Sequence, residues 1–498
     1  MKDNSLKNMT INTEWNKYLC VIIPTYNNAG TIHNVIIETS NYIPNIIVVN
    51  DGSTDSTNDI LYNIDIPITI VSYAQNRGKG YALKEGFKKA IELGYKFAIT
   101  IDSDGQHKPS DIPKLIKAEE NNLGAIIIGS RNLKDKIISK GSVFANKFSN
   151  FWFFVQTAKY LPDTQTGFRL YPLDKIYWKN LITNRYESEL ELLVFAKWNN
   201  VPIKSVEIDV IYPPKEERVS HFRPKKDFLR ISILNTILCF IAILFAYPYK
   251  LLYCLRTFIY TIYSIVVFIF GSLFLTIYTS IIFFFFKKTE KNKMLIHKTL
   301  YKAANFVIKN IPGVKYFYNK NASENFEKPA IIISNHQSLL DLMCAMMMTP
   351  KMIILTNKWV WNNIIFGKLI RYAEFYPVHN GIEQSTSHLK ELANRGYSIL
   401  IYPEGTRSKD SSIQRFHRGA FYLAEELNLD IIPIFVHGAG DVLPKKGCYF
   451  KLGKIHLEVY ERITPEDKSF GETFKERAIN FEKYYKERYL KIKLEKYP

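Results

Sequence analysis

Two carboxylates placed two residues apart are the first group in this chain that could do chemistry. Asp102 and Asp104 lie in the segment DSDGQH, directly after the apolar run FAITI. Paired carboxylate oxygens are ligands that Mg²⁺ and Mn²⁺ prefer, and an ion held there could offset the charge of a departing diphosphate. Such pairs are also common in solvated turns, so the interpretation depends on the surrounding elements.

A histidine and an aspartate five positions apart form a second reactive group. His336 and Asp341 lie in NHQSLLD, after the apolar run AIIIS, and YPEGTRS follows later with Glu404, Gly405 and Arg407. On a helix that begins at the end of the strand, side chains four or five residues apart approach each other. A neutral imidazole could then take a proton from a hydroxyl while the carboxylate orients its ring.

The second segment adds groups suited to an anionic substrate. Gly405 permits close backbone approach, and Arg407 offers two parallel donors to a phosphate. Glu404 would orient either that arginine or the acceptor.

The order of apolar runs predicts the element that positions the first group. From residue 18 to about 130, short β-branched runs alternate with helical patterns, which predicts an α/β fold with a buried, mostly parallel sheet. Ligands bind such sheets at the carboxyl ends of the strands. The polar clusters PTYNNAG, NDGSTDST and DSDGQH all fall at predicted strand ends, so we expect them to share one site.

Six ordered motifs resemble those of the family-two glycosyltransferases, particularly the dolichyl-phosphate mannose synthase-like members. They are VIIPTYNNAGTI, VVNDGSTDST, NRGKGYALKEG, ITIDSDGQH, DTQTGFRLY and SHFRP, within residues 18–230. The resemblance implies a GT-A (Rossmann-like) fold that binds a nucleotide sugar through Pro24, Thr25 and Asp51. It also implies a Mg²⁺ or Mn²⁺ ion and the diphosphate at Asp102, Asp104 and Gln106, with Arg131 as a further phosphate contact.

The same resemblance points to residues on the acceptor side. The matched segments contain Asp163, Gln165, Arg169, Glu187, Glu189, Glu191, His221 and Arg223. The alternating glutamates would share a face on a strand and spread out on a helix, and a solvated edge is the alternative for two of them. His221 and Arg223 would meet an acceptor phosphate or simply be juxtamembrane charge. A polyprenyl phosphate needs no general base, whereas a hydroxyl acceptor does, and Asp163 is then the candidate.

The histidine motif and YPEGTRS together resemble the glycerophospholipid acyltransferase family of lysophosphatidic acid acyltransferases. The resemblance covers roughly residues 300–470 and implies transfer of an acyl chain from acyl-CoA or acyl-ACP to a lipid hydroxyl, with His336 as base and Asp341 as its orienting partner. AEFYPVHNGIEQ, from Ala373, lacks an arginine that many members carry. A simple glycerol phosphate acceptor is therefore in doubt, and another lipid hydroxyl becomes more attractive.

Between the two motif groups lie two uncharged, aromatic-rich stretches, 231–249 and 257–286. Each is long enough to cross a bilayer as a helix, and the basic flanks RPKKDFLR and KKTEKNK predict a helical hairpin with both outer ends in the cytosol. Helices that lie in the membrane interface or pack as buried core are the alternative. The hairpin would place both catalytic domains on the cytosolic face of the cytoplasmic membrane.

Composition supports this organisation. A length of 498 residues favours two or three domains, which we place at 1–230, 231–290 and 291–498. The net charge of +19 suits membrane lipids or phosphorylated substrates, and no nucleic-acid-binding motif is visible. Five scattered cysteines and a polar N-terminal segment without a secretory signal predict a reducing, cytosolic setting.

We therefore expect a bifunctional membrane enzyme that glycosylates a lipid-linked acceptor and acylates a lipid. One alternative keeps the glycosyltransferase but treats the second domain as a degenerate lipid-binding module. Another treats the whole chain as a non-catalytic scaffold.

Overall fold

The computed structural model describes nine stretches of the chain: 13–122, 124–132, 140–212, 223–320, 324–356, 358–377, 385–408, 411–447 and 449–496. The chain divides into two compact units. The first unit comprises Met1–Leu251 and Lys491–Pro498, and the second comprises Leu252–Leu490. The two units divide between Leu251 and Leu252, within the middle region 231–290 predicted from the sequence.

A seven-stranded mixed sheet forms the core of the first unit, in the order β3-β2-β1-β4-β6-β5-β7. The neighbours among β1 to β4 pair in parallel, as the sequence predicts, and β7 is parallel to β5. β6 runs antiparallel to both β4 and β5. The strands are β1 (Leu19–Thr25), β2 (Ile46–Asn50), β3 (Thr69–Ser72), β4 (Phe97–Thr100), β5 (Ile126–Arg131), β6 (Arg169–Pro172) and β7 (Ile203–Ile208).

Helices connect these strands and cover the sheet. β1, β2 and β4 are buried along their whole length, which explains their continuous apolar sequence. The helices up to the apolar middle are α1 (Ile32–Ser40), α2 (Thr57–Tyr62), α3 (Lys79–Glu92), α4 (Ile112–Asn121), α5 (Lys140–Thr157), α6 (Glu187–Trp198) and α7 (Pro224–Ile241). Short 3₁₀ turns occupy Thr13–Lys17, Pro109–Asp111 and Trp178–Asn180.

The second unit also has a seven-stranded mixed sheet, in the order β11-β10-β12-β9-β13-β14-β8. Its pairs are parallel except β13 with β14. The strands are β8 (Val314–Lys320), β9 (Ala330–Ser334), β10 (Met352–Thr356), β11 (Tyr376–Pro377), β12 (Ser398–Ile401), β13 (Asp430–His437) and β14 (Gly453–Val459). The α/β class expected from the sequence is thus confirmed for both units.

The remaining helices run from the apolar middle to the end of the described chain. They are α8 (Tyr247–Phe285), α9 (Glu290–Lys309), α10 (Leu340–Met346), α11 (Lys358–Trp361), α12 (Gly367–Tyr372), α13 (Thr386–Asn394), α14 (Gly419–Glu426), α15 (Ala439–Val442) and α16 (Phe474–Lys496).

The apolar middle is one continuous helix, so the predicted hairpin is wrong. α7 passes through a π-helical segment, Ala242–Ala246, directly into α8. The backbone N–H of Tyr247 donates to the carbonyl of Ala242, five residues back, and this wider turn immediately precedes Pro248. A π-bulge accommodates a proline that cannot donate its own hydrogen bond, so the helix continues where a turn was expected. Within the described residues, this helix is long and apolar enough to cross a membrane, judged by length and composition only.

Candidate functional site

A cavity of about 670 Å³ opens at the carboxyl ends of β1, β2 and β4 in the first unit. This is the edge at which the sequence placed its three polar clusters. The predicted site residues that line the cavity are Pro24, Thr25, Asp51, Asp102, Asp104 and Arg223. The lining residues that the sequence analysis did not single out are Tyr26, Asn28, Asn76, Gly78, Lys79, Ala82, Ser103, Arg185 and Tyr186.

Lys79, the first residue of α3, links the carboxylate cluster to α6. Its Nζ lies 2.6 Å from Oδ1 of Asp102 and 3.0 Å from Oε2 of Glu189. Burial alone would raise the pKa of Asp102, but the charges of Lys79 and His107 outweigh it and hold that pKa below its usual value. Asp102 is therefore ionised, and Lys79 neutralises part of its charge.

Asp104 carries the excess negative charge of the cluster. Burial, followed by the nearby charge of Asp102, raises the pKa of Asp104 to about 6. One of its oxygens, Oδ1, accepts the backbone N–H of Gln106 at 3.0 Å. The described residues contain no group of three or more His, Cys, Asp or Glu side chains that could hold a metal ion by themselves. The two aspartates still fit a divalent ion whose other ligands come from a diphosphate, because both face one cavity and their charges repel each other.

Two glycines allow α3 to approach the start of α6 and the residues just before it. Gly78 has φ +102°, and a Cβ there would lie 2.6 Å from Cγ of Arg185. A Cβ on Gly80 would lie 1.9 Å from Oγ of Ser188. Only glycine fits at such separations, so the GKG triplet in NRGKGYALKEG is the sequence signal that could have identified Lys79.

Asp163 does not have the surroundings of a general base. Its carboxylate is fully buried and forms a bidentate pair with Arg131, at 2.7 Å from Nε and 3.0 Å from Nη2. It also accepts from Asn146 Nδ2 at 2.5 Å and from backbone N–H groups. Burial alone would raise the pKa of Asp163, but Arg131 outweighs it and the pKa is lowered. We therefore correct the expectation: Asp163 holds Arg131 in place, and neither residue lines the cavity.

Arg169 is likewise a structural residue and not an acceptor contact. It is fully buried, and its guanidinium donates to the carbonyl oxygens of Thr166, Glu189 and Thr164 and to the hydroxyl of Tyr171, at 2.7 to 3.2 Å. It thereby fixes the loop that brings Gly167 against Asp102, where a Cβ would lie 2.5 Å from Oδ2.

The three alternating glutamates lie on α6, and all three are buried, so a solvated edge is excluded for each. Glu191 accepts the backbone N–H groups of Ile182 and Thr183 and therefore fixes the preceding loop. Glu189 is the one that contacts the cluster, through Lys79.

Of the other predicted residues in this unit, Asp51 lines the cavity and Gln165 does not. Asp51 accepts the backbone N–H groups of Arg77 at 2.7 Å and Gly78 at 2.9 Å, so it also fixes the start of α3. Gln165 is exposed and donates to the carbonyl of Ala145. His221 lies outside the described residues.

In the second unit, the structure brings His336 and Asp341 together as predicted. His336 Nδ1 lies 3.1 Å from Oδ2 of Asp341, which also accepts the backbone N–H groups of Gln337 and Ser338 at 2.5 and 2.7 Å. His336 stacks on Tyr402, with ring centroids 4.1 Å apart. The aspartate is fully buried, so the ring is fixed from two sides. This leaves Nε2 as the nitrogen that can exchange a proton with a substrate.

Glu404 joins the two motifs of this unit and does not bind Arg407, which corrects the expected role. Its Oε1 accepts the backbone N–H of His336 at 2.8 Å, and its Oε2 accepts that of Gln414 at 2.9 Å. Burial raises the pKa of Glu404 to about 7, although these two hydrogen bonds oppose the shift. The backbone N–H of Ser408 also donates to the carbonyl of His336 at 2.7 Å.

Gly405 and Arg407 lie on the same loop. Gly405 has φ +69°, and a Cβ there would lie 3.3 Å from the ring of His417. Arg407 is half-buried, and its backbone carbonyl accepts from Nζ of Lys445. Across the described residues, its guanidinium forms no ion pair, which leaves its donors available for an anion.

A second cavity of about 580 Å³ is lined in part by residues of the histidine motif. Leu339 and Leu340 line it, and the other lining side chains are almost all apolar, coming from α8, α9, α10 and α12. Such a cavity fits a hydrocarbon chain better than a polar ligand.

Comparisons with known proteins give the class of each unit. Residues 20–167 match the family described as Glycosyl transferase family 2, and residues 314–437 match the family described as Acyltransferase. The chain belongs to glycosyl transferase family 2 through its first unit and carries an acyltransferase domain in its second. Both halves of the resemblance drawn from the sequence are thus confirmed, and the protein is a glycosyltransferase and an acyltransferase.

Individual relatives are similar to one half of the chain or the other. The UDP-N-acetylglucosamine–dolichyl-phosphate N-acetylglucosaminyltransferase of Methanococcus voltae is 34% identical over 219 residues, which cover 39% of this chain and 86% of that protein. A putative 1-acyl-sn-glycerol-3-phosphate acyltransferase of Caenorhabditis elegans is 29% identical over 155 residues, covering 30% of this chain but only 54% of that protein. A crystal structure of the 1-acyl-sn-glycerophosphate acyltransferase of Thermotoga maritima is 21% identical with a TM-score of 0.40, covering 47% of this chain and 97% of that one.

Proposed function

We propose that the first unit transfers a sugar from a nucleotide sugar to a lipid-linked phosphate such as a polyprenyl phosphate. The observation that carries the proposal is that one cavity holds the Asp102 and Asp104 carboxylates together with three basic side chains, Lys79, Arg185 and Arg223. Such a cavity can hold two phosphorylated substrates at once, one through a metal ion and one through direct ion pairs.

The donor would bind on the carboxylate side. Asp102 and Asp104 would hold Mg²⁺ or Mn²⁺, which would neutralise the charge of the departing nucleoside diphosphate. Pro24, Thr25 and Asp51 would line the nucleotide end, at the carboxyl ends of β1 and β2. Lys79 would keep Asp102 oriented by its ion pair, because the same ammonium group is held by Glu189 from the other side.

The acceptor is proposed to be a phosphate because the described residues that line the cavity offer no carboxylate base besides Asp102 and Asp104, which are assigned to the metal ion. Among the described lining residues the carboxylates are Asp51, Asp102 and Asp104, and both oxygens of Asp51 accept backbone N–H groups. An ionised phosphate oxygen needs no base: it forms the new bond to the anomeric carbon as the bond from that carbon to the diphosphate oxygen breaks. Arg185 and Arg223 would hold the acceptor phosphate, and the aligned relative named for a dolichyl-phosphate reaction supports this choice.

The second unit is proposed to transfer an acyl chain from acyl-CoA or acyl-ACP to a lipid hydroxyl. His336 Nε2 would take the hydroxyl proton while Asp341 holds the Nδ1 side of the ring. The hydroxyl oxygen then forms the ester bond, the carbon–sulfur bond breaks, and the imidazolium returns its proton to the leaving thiolate. The apolar cavity beside Leu339 would hold the acyl chain. The intact contact between His336 and Asp341 argues against a degenerate domain.

Both activities are proposed to act at the cytosolic face of the cytoplasmic membrane. A hairpin would have returned the chain to that face, but the helix is continuous. A helix of 60 residues is about 90 Å long, three times the hydrocarbon core of about 30 Å. Lys250 and Arg256 are exposed in its middle, which favours a helix that lies along the interface over one straight crossing.

Mass spectrometry of lipids from cells that produce Asp104→Ala or His336→Ala tests the proposal. Asp104→Ala should remove a glycosylated lipid and leave acyl transfer to an added acceptor intact, whereas His336→Ala should have the reverse effect. If each variant removes a different species and one species accumulates unacylated, the two steps are sequential. An unchanged lipid profile in His336→Ala would support the degenerate-domain alternative, and unchanged profiles in both would support a scaffold.

A further inference from the structure

Helix α5 buries most of its amide side chains and exposes most of its aromatic ones, although Phe153 is fully buried in the core. Its buried residues include Asn146, Ser149, Asn150 and Gln156, each at most 5% exposed. Its exposed residues include Phe144, Phe151 and Phe154, at 64%, 57% and 50%. In a soluble protein the aromatic stripe would face the core and the amides would face solvent.

The buried polar residues of α5 form hydrogen bonds inside the first unit. Asn146 donates to Asp163, Ser149 contacts the hydroxyl of Thr164 at 2.7 Å, and Asn150 donates to the carbonyl of Pro162 at 2.8 Å. These contacts hold the loop that also places Gly167 against Asp102. The orientation of α5 is therefore fixed by specific hydrogen bonds, and the aromatic residues point outward as a consequence.

The exposed stripe continues onto the apolar helix. Phe148 of α5 packs on Phe228 of α7, with ring centroids 5.3 Å apart. Gln156 donates to the side chain of Asn235 at 2.9 Å, which joins the two helices further along. On α7, the side chains of Phe228, Leu229 and Ile233 are 43%, 61% and 53% exposed. We define the α5–α7 aromatic face by Phe144, Phe148, Phe151, Phe154 and Phe228.

We propose that the α5–α7 aromatic face lies in a lipid bilayer, with α5 as a second membrane-contacting element beside the long apolar helix. The inference rests on the proposed membrane placement of that helix and extends it to an element that the sequence did not suggest. A bilayer is favoured over a protein partner because the face is continuous with the apolar helix, which has the same exposure. Lys147 is also exposed between Phe144 and Phe151, where its long side chain can reach the headgroups.

The placement has a consequence for the acceptor. The outer face of α5 would contact lipid while its inner face holds the loop that touches the carboxylate cluster. A lipid-linked phosphate in the bilayer would then approach the cavity along α5, with its hydrocarbon chain against the aromatic residues.

Fluorescence quenching in vesicles tests the proposal directly. The full chain carrying Phe151→Trp would be reconstituted into phosphatidylcholine and phosphatidylglycerol vesicles whose acyl chains carry bromine. The added indole should lose fluorescence relative to the native background. Phe240→Trp on α7 is the positive control, and Tyr62→Trp, at an equally exposed site on α2, should not be quenched.

The outcomes distinguish a failure of the α5 proposal from a failure of the proposed membrane placement of the apolar helix. Quenching at 240 without quenching at 151 overturns the role of α5, and a dimer seen by light scattering in that case would assign the face to a second copy of the chain. No quenching at either position overturns the membrane placement itself. A functional measurement gives independent support: Phe144→Ser/Phe151→Ser/Phe154→Ser should raise KM about tenfold for a long-chain polyprenyl phosphate in vesicles and leave KM for a short, water-soluble one unchanged. Equal effects on both acceptors would mean that the triple variant only damages the cavity.

Discussion

The two transfer sites treat charge in opposite ways. In the first unit, the partly buried carboxylate of Asp102 and the buried carboxylate of Glu189 share one lysine, and two arginines line the same cavity. In the second unit, Glu404 is buried, and among the described residues it has no cationic partner and accepts two backbone N–H groups; burial raises its pKa to about 7. The first site is built to hold several charges at once, whereas the second is built around one proton.

This difference follows from what each reaction must stabilise. A departing diphosphate carries charge that remains after the bond breaks, so fixed cations and a metal ion are useful throughout. In acyl transfer the charge is transient, because a proton moves from the hydroxyl to the histidine and then to the thiolate. A single imidazole beside a buried aspartate and an apolar cavity suits that sequence.

The largest effect is expected from Asp341→Asn. The variant removes the negative charge that supports the imidazolium of His336, so acyl transfer should fall by about 10³ to 10⁴-fold while sugar transfer is unchanged. Radiolabelled assays of both reactions on one preparation measure this. Asp441→Asn, at an exposed aspartate on α15, is the matched control. A loss of less than about tenfold would exclude Asp341 as the group that supports the imidazolium of His336.

Lys79→Met should lower sugar transfer and not acyl transfer, by a somewhat smaller factor than Asp341→Asn lowers acyl transfer. Without the ammonium group, Asp102 and Glu189 face each other uncompensated, and sugar transfer should fall by about 10² to 10³-fold. Acyl transfer should not change. Lys88→Met, at an exposed position on the same helix, is the control. Calorimetric titration with Mn²⁺ and nucleoside diphosphate adds a readout independent of turnover, and unaltered affinity and rate would show that Lys79 has no part in the site.

The sequence predicted the sheets and the reactive pairs because those signals are local. Asp102 and Asp104 follow one strand, and the five-residue spacing of His336 and Asp341 was enough to predict their contact. The roles of Asp163 and Arg169 could not be predicted in this way. The partner of Asp163 is Arg131, 32 residues away on β5, and Arg169 donates to carbonyl groups whose positions depend on the folded loop.

The apolar middle was misread for a related reason. Pro248, Lys250 and Arg256 look like a turn between two helices, but the π-helical segment before Pro248 keeps the chain helical. The exposure of aromatic residues on α5 was also not predicted. Amides and aromatics are mixed along this helix without the apolar periodicity that is typical of a core helix.

Glu404→Gln tests whether a proton held by the Glu404 carboxyl group contributes to the stability and the activity of the second unit. Because burial raises the pKa of Glu404 from 4.5 to about 7, the folded unit retains a proton that the unfolded chain releases within this range. The unfolding free energy should therefore fall as pH rises from 4.5 to 7, by an amount on the order of 3 kcal/mol, and Glu404→Gln should flatten this dependence.

Thermal unfolding of the purified protein at a series of pH values measures the effect. Acyl transfer by the variant should fall about tenfold through kcat, because glutamine can accept only one of the two backbone N–H groups that Glu404 accepts. Glu426→Gln, at an exposed position at the end of α14, should leave both properties unchanged. An increase in KM alone would instead indicate that Glu404 orients the acceptor, as its sequence motif suggested.

Arg407→Ala is expected to change KM alone, without a cost in stability, and it bears on the acceptor of the second site. The guanidinium forms no ion pair in the part of the chain that the structure describes, so its removal should cost no folding stability. If the acceptor carries a phosphate near its hydroxyl, KM should rise about tenfold with kcat unchanged, because one charge-assisted contact is lost. Arg415→Ala, an exposed arginine beyond the motif, is the control. A KM that does not change for a phosphate-bearing acceptor would favour a lipid hydroxyl without a phosphate, such as one on a glycosylated lipid, and would link the chemistry of the second unit to the product of the first.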